Sequence, residues 1–280
     1  MKVALVLEGG AMRGLYTAGV LDALLDTEIK IDGIIGVSAG ALFGVNYKSK
    51  QKGRALRYNL NYANDKRYMS LNSLLKTGNL VNTEFAYHEL PTKLDIFDEE
   101  TYSKNKTDFY AVVTNINTGK PEYKKIINAT IQVDELRASG SMPYLSQPVK
   151  IDDNYYLDGA LGDSIPVEKA KDMGYDKIIV VLTRTKDYRK KKRSPFIAKL
   201  FYKKYPNLVE AINTRYKKYN DTLELIETLE SKKEIFVIRP SKDLKIKRVE
   251  KDKDKLKSMY DLGTQDFKEN LKSLKKYLKK

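Results

Sequence analysis

The sequence predicts an α/β protein, with a three-layer α/β/α core around a mainly parallel central sheet and a small basic α+β subdomain behind it. Three observations carry this expectation. Through residues 1–185, short apolar runs alternate with amphipathic stretches, the pattern of a sheet layered between helices. Twice, a buried-strand pattern passes through a glycine-rich turn directly into a helical pattern, at Gly9–Gly14 and at Gly36–Gly40. The charge then changes abruptly. Residues 1–185 hold 23 Lys+Arg against 23 Asp+Glu, whereas residues 186–280 hold 29 against 14, so the net charge of +15 lies wholly in the last third. The expected division is 1–188 and 189–280.

The elements follow in order. Lys2–Leu7 reads as a buried strand, Gly9–Gly14 as a glycine turn, and Leu15–Leu25 as a helix with apolar spacing. Ile31–Val37 is a second strand, and Ser38–Tyr47 a helix whose small first residues suit close packing on a sheet. Asp108–Asn115 and Tyr123–Ile127 read as strands joined near Asn117-Thr118-Gly119, and Val133–Ala138 as a short helix stopped at Gly140. Tyr155–Leu157 ends a strand before Asp158-Gly159-Ala160. Ile165–Met173 is a helix with Pro166 in its first turn and Gly174 beyond its end. Ile178–Leu182 is another buried strand. Beyond it lie a basic loop at Tyr188–Pro195, a long helix at Leu208–Leu229, a strand at Glu234–Ile238 and a lysine-rich helix at Lys255–Leu278.

Composition excludes several chemistries. The chain of 280 residues has no cysteine, which removes disulfides, thiolate metal sites and cysteine nucleophiles together. Its one histidine, His88, excludes a multi-histidine metal centre and nearly excludes a Ser-His-Asp triad. No metal and no cofactor is expected. No apolar run reaches the roughly 18 residues of a membrane span, and the apolar start stops at Glu8, too early for a signal peptide. The expected location is cytoplasmic. Residues 186–280 offer a basic surface for peripheral contact with an anionic membrane, or only a solubilising face.

Gly36-Val37-Ser38-Ala39-Gly40 is a Gly-x-Ser-x-Gly sequence between a predicted strand and a predicted helix. That setting bends the chain sharply and exposes the serine at the tip, where the helix dipole favours developing negative charge. Gly9-Gly10-Ala11-Met12-Arg13-Gly14 presents several amides at a helix N-terminus, suited to a phosphate or to a transient oxyanion. A dinucleotide site would want a third glycine where Ala11 stands and an acid closing the second strand, whereas Asp32 precedes it. A serine nucleophile needs a proton acceptor. His88 sits in a helical pattern early in the chain, before every plausible acid partner, and reads as a surface histidine. Asp158, at a strand end and followed by Gly159 and Ala160, is the carboxylate candidate, although Asp-Gly by itself is a turn former.

Taken together, the glycine turn, the serine bend, Ala138-Ser139-Gly140-Ser141-Met142-Pro143 and Asp158-Gly159-Ala160, in this order, resemble the patatin-like phospholipases. The resemblance covers residues 1–185; residues 190–280 look more weakly like a C-terminal domain of some bacterial members. It implies a lipid acyl hydrolase with Ser38 as nucleophile and Asp158 as base, a Ser–Asp dyad. The amides of Gly9, Gly10 and Ala11 would form the oxyanion hole, with Arg13, Gly14, Gly36, Gly40, Gly159 and Ala160 supporting. Ala11 departs from the usual third glycine, and alanine disfavours positive φ. The implied partner is a lipid ester. Nucleic acid is not expected, since no helix-turn-helix or RNA-recognition signature is present. The alternative is a catalytically weak lipid- or anion-binding regulator on the same fold.

Overall fold

The computed structural model describes residues 1–192 and 194–279; Arg193, part of the expected basic loop, lies outside the described residues. The strands are β1 (Val3–Leu7), β2 (Gly33–Val37), β3 (Asp108–Asn115), β4 (Pro121–Lys125), β5 (Val149–Ile151), β6 (Asn154–Asp158), β7 (Lys177–Val181) and β8 (Ile235–Ile238). The helices are α1 (Leu15–Leu25), α2 (Ala39–Lys48), α3 (Arg54–Tyr62), α4 (Leu71–Thr77), α5 (Glu99–Lys104), α6 (Val133–Ser139), α7 (Val167–Asp172), α8 (Phe196–Phe201), α9 (Pro206–Ser231) and α10 (Lys253–Leu278). A wider helical coil, Glu84–Leu94, stands between α4 and α5.

Among the described residues the strands form one sheet, ordered β5-β6-β3-β2-β1-β7-β8 with β4 beside β3. The β1–β2, β1–β7, β2–β3 and β7–β8 pairs are parallel, so the sheet is mostly parallel, as expected. The β1 side chains alternate between its faces. Val3, Leu5 and Leu7 pack with α1, α2 and α10, while Ala4 and Val6 pack with α7 and α9. The expected three layers are therefore present. β8 extends the sheet beyond β7, so the charge step at Lys186 marks no break in it.

One register positions the site. Residues 108–112 of β3 pair with β2, and residues 113–115 pair with β6. β4 pairs with residues 110–114, overlapping both, and so takes the opposite edge. β2 and β6 thus meet β3 end to end along one edge. Val112 pairs with Val37, and its neighbour Val113 pairs with Asp158. The residue after β2 and the last residue of β6 are adjacent because two consecutive β3 residues hold them.

α1 is buried along nearly its whole length because α10 crosses it on the side away from the sheet. The crossing is glycine on each side. A Cβ on Gly19 would lie 2.0 Å from Tyr260 O, and one on Gly263 would lie 2.1 Å from Tyr16 O. Tyr16 donates to Asp266 at 3.0 Å and Tyr260 donates to Asp22 at 2.7 Å, pinning the pair. Gly263→Ala is expected to destabilise the protein by about 3 kcal/mol, because overpacking two backbones exceeds the ~1 kcal/mol helix-propensity gain. Denaturant unfolding reads this as a lower midpoint.

Candidate functional site

Ser38 stands between β2 and α2 with φ 54° and ψ −122°, a conformation that costs a non-glycine residue about 1–3 kcal/mol. Its neighbours permit the bend. A Cβ at Gly40 would lie 2.5 Å from Leu7 O, and one at Gly36 would lie 2.7 Å from the Ala41 backbone. The Ser38 amide donates to Ser139 Oγ at 2.9 Å, at the end of α6. Its hydroxyl donates to Asp158 Oδ2 at 2.7 Å. Both side chains are buried.

Asp158 closes β6. Its amide donates to Ser141 O at 2.8 Å, and its Oδ1 accepts the Ala160 amide at 2.8 Å, so one carboxylate oxygen is fixed and the other faces Ser38. Gly159 permits this turn, since a Cβ there would lie 2.1 Å from Val112 O. Burial pushes the Asp158 carboxyl above the ordinary carboxylate range; Arg215, the Ala160 amide, the Ser38 hydroxyl and Arg248 pull partly back. His88 is exposed on the Glu84–Leu94 coil, and the serine proton faces a carboxylate.

The glycine turn lies alongside. A Cβ on Gly9 would come within 2.9 Å of Ser38 Cβ, and one on Gly14 within 2.6 Å of Ala39 Cβ. The amides of Glu8 and Met12 donate to Val181 O and Arg248 O. Those of Gly9, Gly10 and Ala11 have no hydrogen-bond partner among the described residues, and all three residues line the chamber that contains Ser38. Ala11 does adopt φ +49°. Ala11→Gly is expected to raise stability by about 0.5–1 kcal/mol in a denaturant titration. Relief of ~1–2 kcal/mol of left-handed strain exceeds the ~0.4–1 kcal/mol of unfolded-chain freedom that glycine adds.

Two spaces meet at Ser38. A largely apolar cavity of about 220 Å³ is lined by Phe43, Tyr58, Met69, Leu90 and Leu136, among others, and mostly by residues from the Arg54–Glu100 stretch and α2. A polar chamber of about 60 Å³ lies on the other side, lined by Glu8, Asp158 and a group of cations. Ser38, Ala11, Met142 and Arg248 border both. Arg13 lies in the polar chamber, where burial and the nearby Arg184 push its guanidinium down to about 10. The sequence reading gave no role to Ser139, Arg184, Lys190, Arg215 or Arg248. The only signal for the last three was the basic excess, which has no spacing that singles them out.

A layered α/β fold with a serine on a strained strand–helix bend, held against a buried carboxylate, defines the class. The chain belongs to the patatin-like phospholipase family, whose family model matches residues 5–171. A second family model, described as a domain of unknown function (DUF6363), matches residues 205–279. Uncharacterized protein YjjU of Escherichia coli (strain K12) is 27% identical over 254 residues, 87% of this chain and 70% of that protein. Probable lipid hydrolase 463L of Invertebrate iridescent virus 6 is 27% identical over 186 residues, 59% of this chain and 62% of that protein. Lysophospholipase nte1 of Aspergillus oryzae is 30% identical over 185 residues, 64% of this chain but 12% of that protein. The crystal structure of VipD from Legionella pneumophila aligns with 96% of this chain and 67% of that one, at 15% identity and TM-score 0.42.

Proposed function

We propose that the protein is a serine acyl hydrolase that cleaves carboxylic ester bonds of lipids. The observation that carries this reading is the 2.7 Å hydrogen bond from Ser38 to Asp158, two buried side chains 120 residues apart. In the proposed reaction, Asp158 takes the hydroxyl proton as Ser38 Oγ bonds to the ester carbonyl carbon. The displaced electron pair goes to the carbonyl oxygen, stabilised by the amides of Gly9, Gly10 and Ala11. The bond to the alcohol breaks and the leaving oxygen takes the proton from Asp158. Water, deprotonated by the same carboxylate, then bonds to the acyl carbon; the bond to Ser38 Oγ breaks, Oγ takes the proton from Asp158, and the fatty acid leaves. The raised Asp158 pKa supports the role, because an ordinary carboxylate is a weak base near neutrality. The test is hydrolysis of a p-nitrophenyl acyl ester together with peptide mapping of a fluorophosphonate adduct. Turnover with the adduct on Ser38 supports the reading; no turnover and no adduct favours the regulatory alternative.

Among the described residues no helix is long and apolar enough to cross a membrane. Peripheral docking on an anionic bilayer is part of the same proposal. Phe196, Ile197, Leu200 and Phe201 of α8 are each more than half exposed, and exposed Lys191, Lys192, Lys199, Lys203 and Lys204 lie within or beside that stretch of sequence. Ala198 and Tyr202 anchor the helix, and Phe201 stands edge-on to Tyr144, next to Pro143 of the polar chamber. Each buried apolar side chain contributes about 1.5–3 kcal/mol and each lysine about 1 kcal/mol near an anionic surface. Leu200→Asp combined with Phe201→Asp is expected to cut co-sedimentation with phosphatidylglycerol vesicles at least ~10-fold. Unchanged sedimentation would remove α8 from the interface.

A further inference from the structure

The polar chamber collects five Lys and Arg side chains from four stretches of chain: Arg13, Arg184 and Lys190 from the segment after β7, Arg215 and Arg248. Four of them lie outside residues 5–171, the portion that the patatin-like family model covers. The carboxylates there are Glu8 and Asp158. Glu8 is already engaged: it accepts from the Thr183 amide at 2.6 Å, from the Thr183 hydroxyl at 3.1 Å and from Tyr219 at 2.7 Å. Asp158 is engaged by Ser38 and the Ala160 amide. Among the described residues that line the chamber, Lys and Arg side chains thus outnumber carboxylates five to two.

Burial weighs on these cations, and at Lys190 and Arg13 a neighbouring arginine adds to it. Burial and Arg215 push the Lys190 ammonium, seated 3.8 Å from the centre of the Tyr219 ring, down to about 6, against the pull of Glu8. Burial lowers Arg215 as well, despite Asp158. The Nε of Arg13 is buried with no hydrogen-bond partner among the described residues. Guanidinium groups favour anions with several oxygens in fixed geometry, phosphate above all. At about 15 Å³ for one water, the chamber has room for roughly four waters, the scale of one phosphate.

We infer that this chamber is the headgroup site of the lipid ester and that it selects a lipid whose head is an unsubstituted phosphate monoester. The inference rests on the hydrolase reading above. The connectivity supports it, because Ser38 sits at the junction of the two spaces. An acyl chain in the apolar cavity and a phosphate among the cations bring the ester between them to the serine. A phosphocholine head would instead carry a fixed positive charge toward the arginines, and an uncharged glycerol head would offer them no oxyanion.

The test compares oleoyl lysophosphatidate, oleoyl lysophosphatidylcholine and monooleoylglycerol in one mixed-micelle system with the full chain. The expected kcat/KM is at least 10-fold higher for lysophosphatidate, with that preference falling toward one in an Arg184→Gln, Lys190→Gln double variant of unchanged melting temperature. The wild-type comparison needs no variant, so a double variant that misfolds leaves it standing. Equal kcat/KM for the three lipids overturns the inference. So does inhibition of neutral-ester turnover by inorganic phosphate without any headgroup preference, which would make the chamber a free-phosphate site. Should no ester be hydrolysed, the hydrolase reading fails separately. Calorimetric titration with glycerol 3-phosphate then decides the chamber: saturable binding that the double variant loses upholds a phosphate-monoester site, and no heat overturns it.

Discussion

Replacing Ser38 with alanine is expected to lower kcat by about 10⁶-fold, the loss seen when a serine hydrolase loses its nucleophile. The effect is large because no neighbour can substitute for the hydroxyl. Ser139 Oγ already accepts the Ser38 amide, and Ser141 Oγ donates to Arg137 O. Alanine tolerates the Ser38 backbone as well or as poorly as serine does, so the bend and the fold should persist. Any residual turnover would come from the amides of the glycine turn and from substrate binding. Initial rates on a p-nitrophenyl ester measure the loss; activity within about 10-fold of wild type would mean that a different group attacks.

Asp158→Asn is the second large effect, a fall in kcat of about 10⁴-fold, the upper end for losing a general base. The side chain keeps its shape, and the amide oxygen can still accept from Ala160, so the change removes proton affinity more than structure. The pH dependence follows from the raised carboxyl. Asp158 must be ionised to accept the serine proton, so kcat/KM falls as pH drops through its pKa. Burial moves that acid limb above the ordinary value of about 3.9. Arg215 favours the charged form. Arg215→Gln is therefore expected to move the limb to still higher pH, read on a neutral ester that carries no phosphate. A limb that stays put would separate Arg215 from the carboxylate.

The legible parts of this fold are those where local pattern and burial agree. β1, β2 and β7 are continuous apolar runs buried on both faces, and α1 follows its turn at the expected residue. The strands around Asn117-Thr118-Gly119 and the long helices α9 and α10 were also readable. The helical pattern around His88 was readable as well, whereas α3, α4 and α5 were not, each being only six to nine residues long. β5 has three residues, too few for a period to show. α8 escaped because it puts large apolar residues outward, the reverse of the usual rule. At the site, the serine bend was evident from its own sequence. Asp158 was the carboxylate candidate from its place at a strand end, and the resemblance strengthened its pairing with Ser38; the cause of their meeting is the β3 register, which no local motif encodes. The chamber cations come from positions as far apart as Arg13 and Arg248, and only the folded chain assembles them.

The glycine crossing of α1 and α10 has a consequence for synthesis. α1 follows the glycine turn directly, and its apolar residues are made early, yet residues 253–278 that roof it emerge far later. At about 5–20 residues per second, that helix waits roughly 10–50 s on the ribosome with one flank bare. A nascent chain in that interval is a natural client for a chaperone, because the buried face of α1 stays uncovered until translation has passed α10.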